Sequence, residues 1–164
     1  MSPEVLSTIY FPYAHSAISY GIIFWGNSHL STNIFKIQKR IIRLITNTGR
    51  RDSCRQLFKQ LQILPLPSQY ILSLLVFVNK NRELFLSNSA VHDMNTRFKY
   101  DLHLPSTNLT LVQKGVLYSG NKIFNSLPQS IKAFSENAKC FQTTLKSYLL
   151  KHSFYSLDEY YQCQ

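Results

Sequence analysis

The sequence predicts an all-α protein, and three stretches carry that prediction. Ile34, Ile37, Ile41, Leu44 and Ile45 gather on one side of a helix advancing about 100° per residue, while Lys36, Lys39, Arg40 and Arg43 gather within an arc of about 100° opposite. The run "YILSLLVFV", from Tyr70, is apolar around most of the helical wheel, the pattern of a central bundle helix. Ala138, Phe141, Leu145, Tyr148 and Leu149 form a regular apolar stripe near the C-terminus.

In chain order, Val5, Leu6 and Ile9 give a first helix that is expected to stop at Pro12. "AISYGIIFWGNS" reads as a buried helical stretch interrupted by Gly21 and Gly26, with a strand as the alternative. "STN", Ser31 to Asn33, offers N-cap side chains for the cationic helix, which Asn47, Thr48 and Gly49 then end in C-cap fashion. Ser53 and Gln56 stand as a capping box for a second helix sharing the same positive surface. Pro65 and Pro67 break the chain, and Ser68 is expected to cap a third helix through about Arg82. Residues 87–108 are polar, lack a 3.6 period and carry Pro105, so they read as an extended linker. Periodicity returns in "GVLYSGNKIFNSLP" and in the last helix. The expected organisation is a helical bundle over residues 3–86, the linker, a smaller helical unit over 109–155 and a solvated tail over 156–164.

Charge narrows the function. The chain carries 18 Lys and Arg against 8 Asp and Glu. Within residues 36–59 stand Lys36, Lys39, Arg40, Arg43, Arg50, Arg51, Arg55 and Lys59 against the single acid Asp52. A positive field concentrated in this way favours a polyanion, because neutralising phosphates releases condensed counterions. Lys36, Lys39, Arg40, Arg43, Arg50, Arg51 and Arg55 are therefore the candidate nucleic-acid-binding residues, with Asn47 and Thr48 as neutral donors. The plainer alternative is a solvated helix face. Phe35, Phe58, Tyr70 and Phe77 fit apolar faces better than a stacking platform for bases.

Other chemistry finds little support. The acids Glu4, Asp52, Glu83, Asp93, Asp101, Glu136, Asp158 and Glu159 are scattered, and only the last two adjoin, in the tail. No catalytic carboxylate cluster results. The five histidines share no metal-ligand spacing, although His92 and His103 flank one polar segment. Cys54, Cys140 and Cys163 are odd in number and far apart, which fits a reducing compartment and an intracellular, unsecreted chain. Cys54 as a nucleophile is a residual enzyme hypothesis. The most apolar window is far shorter than the roughly 20 residues that span a bilayer, so no membrane partner is expected.

Several ordered blocks now become familiar. "ISYGIIFWGNS", "IFKIQKRIIRLITNTGRRDSCRQLFKQLQILPLPSQYI", "VHDMNTR", "GNKIFNSLPQSIK" and "FQTTLKSYLL" together resemble the C-terminal region of jockey-like non-LTR (LINE-type) retrotransposon reverse transcriptases. The matching positions are Tyr20-Gly21, Trp25-Gly26, the "QKR" of Gln38 to Arg40, the "NTR" of Asn95 to Arg97 and the "NSLP" of Asn125 to Pro128. The resemblance implies a thumb over residues 3–86 that grips template-primer duplex, followed by a C-terminal extension. It implies a parent RNA-directed DNA polymerase using two divalent metals, Mg²⁺ in particular. The family's aromatic-x-Asp-Asp box is absent, as are fingers, palm and endonuclease. The fragment is thus expected to be non-catalytic alone, to hold no cofactor, and to have nucleic acid and the missing palm domain as partners. A Met start ahead of this region is what a 5′-truncated element copy or a partial gene product is expected to show. The rival expectation is a protein-interaction module in which the basic amphipathic helix meets an acidic partner; peripheral membrane binding is a further rival.

Overall fold

Helices are the regular secondary structure of the described chain, a computed structural model covering residues 3–92 and 97–163, with side chains described from Val5 onward. Among the described residues there is no sheet, only an isolated antiparallel bridge between Ser87 and Leu102. The chain runs α1 (Pro3–Tyr10), a π-turn (Phe11–His15), α2 (Ser16–Ser19), α3 (Ile22–Trp25), α4 (Ser31–Thr46), α5 (Arg55–Gln60), α6 (Leu66–Lys80) and a 3₁₀ turn (Arg82–Leu84). It continues through α7 (Asn88–His92), α8 (Thr110–Gln113), α9 (Val116–Asn125), α10 (Gln129–Lys132), α11 (Ala138–His152) and α12 (Leu157–Gln162).

The all-α prediction holds, and α6 is the central helix that its apolar run implied. Ile71, Leu74, Leu75 and Val78 are all fully buried, and α6 packs against α2, α3, α4, α9 and α11. Each such side chain removed from water stabilises the fold by about 1.5–3 kcal/mol. The stretches expected as a bundle and a smaller unit share one apolar core, which runs from Tyr10 to Tyr160 with α6 between the two. Gly120 lets α9 approach α6, since a Cβ there would stand 2.9 Å from a Val78 methyl. Gly26 does the same for α3, where a Cβ would run into the Tyr70 ring.

Several boundaries differ from the sequence-based expectation. The first helix does not stop at Pro12: the wide π-turn accommodates a proline that has no N–H to give, and the Ser16 hydroxyl donates to the Pro12 carbonyl. Ser31 to Asn33 do not cap α4 but form its first turn, with the Ser31 hydroxyl donating back to the Ser28 carbonyl. Ser53 and Gln56 form no capping box; Cys54 holds the cap position of α5 without a side-chain bond. α6 starts two residues before Ser68, whose buried hydroxyl instead donates to the Phe154 carbonyl. One terminus matches expectation: Asn47 adopts the left-handed conformation (φ 52°) that ends α4. α11 begins at a cap that was not foreseen, the Asn137 side chain accepting from the Lys139 and Cys140 amides.

The segment after α6 is tethered rather than free. Amides of Asn88 and Ser89 donate to the carbonyls of Asp101 and Lys99, and the His103 amide donates to the Leu86 carbonyl. Asn125 brackets buried Leu102, its amide donating to the Leu102 carbonyl and its oxygen accepting from the Leu102 N–H, both at 2.8 Å. Asn95 and Thr96 of the "NTR" block, and Asp93, lie outside the described residues. The expected solvated tail is helix α12. Ser156 caps it by accepting from the Glu159 amide, and Tyr160, 1% exposed, donates its hydroxyl to the Ile123 carbonyl. The pattern Ser156-x-x-Glu159 was the overlooked signal.

Burial of phenols has a pH consequence. Burial raises the pKa of Tyr10, Tyr70, Tyr148, Tyr160 and Tyr161 above the usual tyrosine value, and pushes Tyr155 up to about 12. Between 10.0 and the raised values the folded chain binds more protons than the unfolded one, so stability is full below pH 10 and declines as pH rises through that window. The denaturation midpoint is expected to fall steadily above pH 10, with phenolate absorbance appearing together with loss of helix. Ordinary tyrosine titration with the helix signal intact would contradict this.

Candidate nucleic-acid interface

α4 has three sectors, not two. The sequence placed Ile34, Ile37, Ile41, Leu44 and Ile45 toward the core, but the buried strip is Phe35, Gln38, Ile42 and Ile45. Ile37 and Leu44 are 53% and 75% exposed. Phe35 decides the rotation, because it stacks on Phe58 with ring centroids 6.2 Å apart and meets Tyr155 edge-on at 5.0 Å. Aromatic burial of this kind outweighs that of one more isoleucine. Gln38 locks the rotation in place: its amide donates to the Tyr10 hydroxyl (2.9 Å) and the Leu64 carbonyl (3.0 Å), and its oxygen accepts from the Leu66 N–H (2.8 Å).

Around the wheel from that buried strip lie the cations, then an exposed apolar ridge. Arg40, Arg43 and Arg50 line one cleft of about 530 Å³ together with Leu44 and Thr48. Arg43 is pre-set there, since its guanidinium donates twice to the Asp52 carbonyl, at 3.1 and 2.8 Å. A neutral carbonyl leaves its charge uncompensated. The Asp52 carboxylate is occupied by the Gly49 N–H at 2.8 Å, which folds the loop that brings Arg50 beside α4. Planar guanidinium forks suit bidentate contact with phosphate oxygens.

The seven candidate residues divide accordingly. Lys36, Arg40, Arg50 and Arg51 are exposed, and Arg40 and Arg50 share the cleft with Arg43. Lys39 is half-buried, its ammonium 4.7 Å from the centre of the Phe35 ring. Arg55 is turned elsewhere: it lies 4.5 Å over the Tyr155 ring and pairs with Glu159 at 2.9 Å. A pair this exposed contributes little stability, roughly 0–1 kcal/mol, but it offsets the Arg55 charge. Thr48 lines the cleft, whereas Asn47 serves as the helix stop.

Cys54 is buried, its thiol 3.6 Å from the Lys39 carbonyl, and burial pushes its pKa up against the opposing pull of Arg43 and Lys39. A thiol of that kind is a poor nucleophile. His92 and His103 do come together, ring centroids 4.9 Å apart, with no third His, Cys, Asp or Glu grouped with them among the described residues. Among the described residues no group of three or more His, Cys, Asp and Glu side chains is placed to hold a metal. No described helix is long and apolar enough to cross a membrane.

The resemblance positions mostly shape the fold around this surface. Gly21 adopts φ 59° between α2 and α3, the Trp25 indole donates to the Tyr20 carbonyl, and Gln38, Asn125 and Gly26 make the contacts described above. No known protein family, curated protein or solved structure matches this chain.

Proposed function

We propose that this chain is the thumb and post-thumb part of a jockey-like non-LTR reverse transcriptase, and that it holds a nucleic-acid backbone through the arginine cleft on α4 without catalysing polymerisation itself. The convergence of Arg40, Arg43 and Arg50 on one concave surface carries the binding part of this reading. Arg43 is held in place without losing its charge, so little ordering entropy opposes phosphate contact. The family part rests on the ordered sequence blocks, above all "FKIQKRIIRLITNTGRRDSCRQLF" and "GNKIFNSLPQSIK". These residues carry no aromatic-x-Asp-Asp box, which is why no polymerisation step is assigned to them.

One observation favours a second reading. Exposed Ile37 and Leu44 beside the cations would also suit an acidic protein with an apolar face. Salt-dependent binding of a labelled duplex of arbitrary sequence supports the first reading. Capture of a protein partner that survives nuclease treatment, with no duplex binding, supports the second.

A further inference from the structure

The cationic cleft contains one residue that phosphate chemistry does not explain. Leu44 lies among Arg40, Arg43 and Arg50 and is 75% exposed. Its position on α4 turns it away from the buried strip, and Ile37 is exposed on the same side of the helix two turns earlier. A single exposed leucine is ordinary on a protein surface. Here it is surrounded by guanidinium groups, which suit a partner that is anionic on the outside and apolar just beneath. A nucleic-acid duplex has that layering, with phosphates outside and base edges and stacked faces within.

We propose that Leu44 is a wedge that contacts bases of a bound duplex, entering the minor groove at a base step while Arg40 and Arg50 hold the flanking phosphates. Branched apolar side chains inserted between base steps unstack them partially, and flanking arginines are favoured where the groove is narrow and its potential most negative. The cleft lining favours duplex over single strand, because it contains no aromatic side chain on which a free base would stack. It favours duplex over a lipid surface as well, since three arginines around a concavity fit a convex backbone better than a planar headgroup layer. The inference rests on the proposed nucleic-acid function and adds to it a base-contacting residue that the charge pattern alone does not supply.

Leu44→Ala and Leu44→Gln, in the full chain, test it against a fluorescein-labelled duplex and a second duplex carrying 2-aminopurine. The wild type is expected to brighten 2-aminopurine on binding. Both variants are expected to lose that signal, to bind about tenfold more weakly, and to keep both the wild-type dependence of affinity on salt and the wild-type melting temperature, since the side chain is exposed. Variants that bind and brighten the probe as the wild type does would overturn the wedge while leaving the phosphate contacts standing. Wild-type binding to anionic phosphatidylserine vesicles that Leu44→Ala abolishes, with duplex affinity unchanged, would overturn it in favour of a membrane contact. A wild type that binds no duplex at all would remove the proposed function together with the wedge.

Discussion

Replacing Lys36, Arg40 and Arg50 together by glutamate is expected to weaken duplex binding by about two orders of magnitude or more at moderate salt, and to lower the slope of log affinity against log salt by about 3. These three residues are exposed, and none of their side chains makes a hydrogen bond or ion pair within the described structure, so the triple variant should keep its helix content and unfolding midpoint. Including Arg43 or Arg55 would confuse the result. Arg43 fastens the loop after α4 through the Asp52 carbonyl, and Arg55 is paired with Glu159. A control separates local contact from bulk charge: Lys139, Lys146 and Lys151, exposed on α11, can be changed to glutamate for the same shift in net charge. That variant should lose far less affinity than the first. Equal losses would mean that the chain attracts polyanions by total charge and that the cleft has no special part.

A large single-residue effect on stability is expected at the buried polar Gln38. Gln38→Leu leaves the Leu66 N–H, the Leu64 carbonyl and the Tyr10 hydroxyl without their partner in an interior site. A stranded buried polar group costs roughly 1–3 kcal/mol, so the sum is about 3 kcal/mol or more even after some relaxation. For a chain of this size that corresponds to a melting temperature lower by about 6–12 °C. Gln38→Glu keeps the acceptor for Leu66 but removes the two donated bonds and buries a carboxylate. It should therefore be destabilised too, and more strongly as pH rises through the carboxylate range. Urea unfolding of both variants checks this; a midpoint within experimental error of the wild type for Gln38→Leu would show that the three contacts are not holding α4 to the start of α6.

The way these features were and were not legible follows from the distance over which each is determined. Helix α11, the central place of α6 and the Asn47 stop are set by residues a few positions apart, and spacing alone located them. The rotation of α4 was not legible. Two of its sectors are apolar, and the choice between them depends on Tyr155 meeting Phe35 and on Leu64 and Leu66 meeting Gln38, contacts far away in sequence. For the same reason Gln38 appeared only as one letter of the "QKR" block, when it is an interior polar clamp. Local patterns also misled where a hydroxyl had a better bond: Ser31 and Ser68 look like caps, yet both donate to carbonyls instead. At the candidate site, the common cationic face was readable from spacing. Its division was not, because the partner of Arg55 stands 104 residues away and that of Arg43 is a backbone carbonyl.

Fluorescence anisotropy of a labelled RNA/DNA duplex with the wild-type chain, over a salt series and repeated with a second unrelated sequence, tests the central claim most directly. The expected result is an affinity that falls steeply and linearly on logarithmic axes as salt rises, with the same slope for both sequences, since phosphates and not base identities supply the attraction. Affinity that does not change with salt, or that is confined to one of the two sequences, would contradict it.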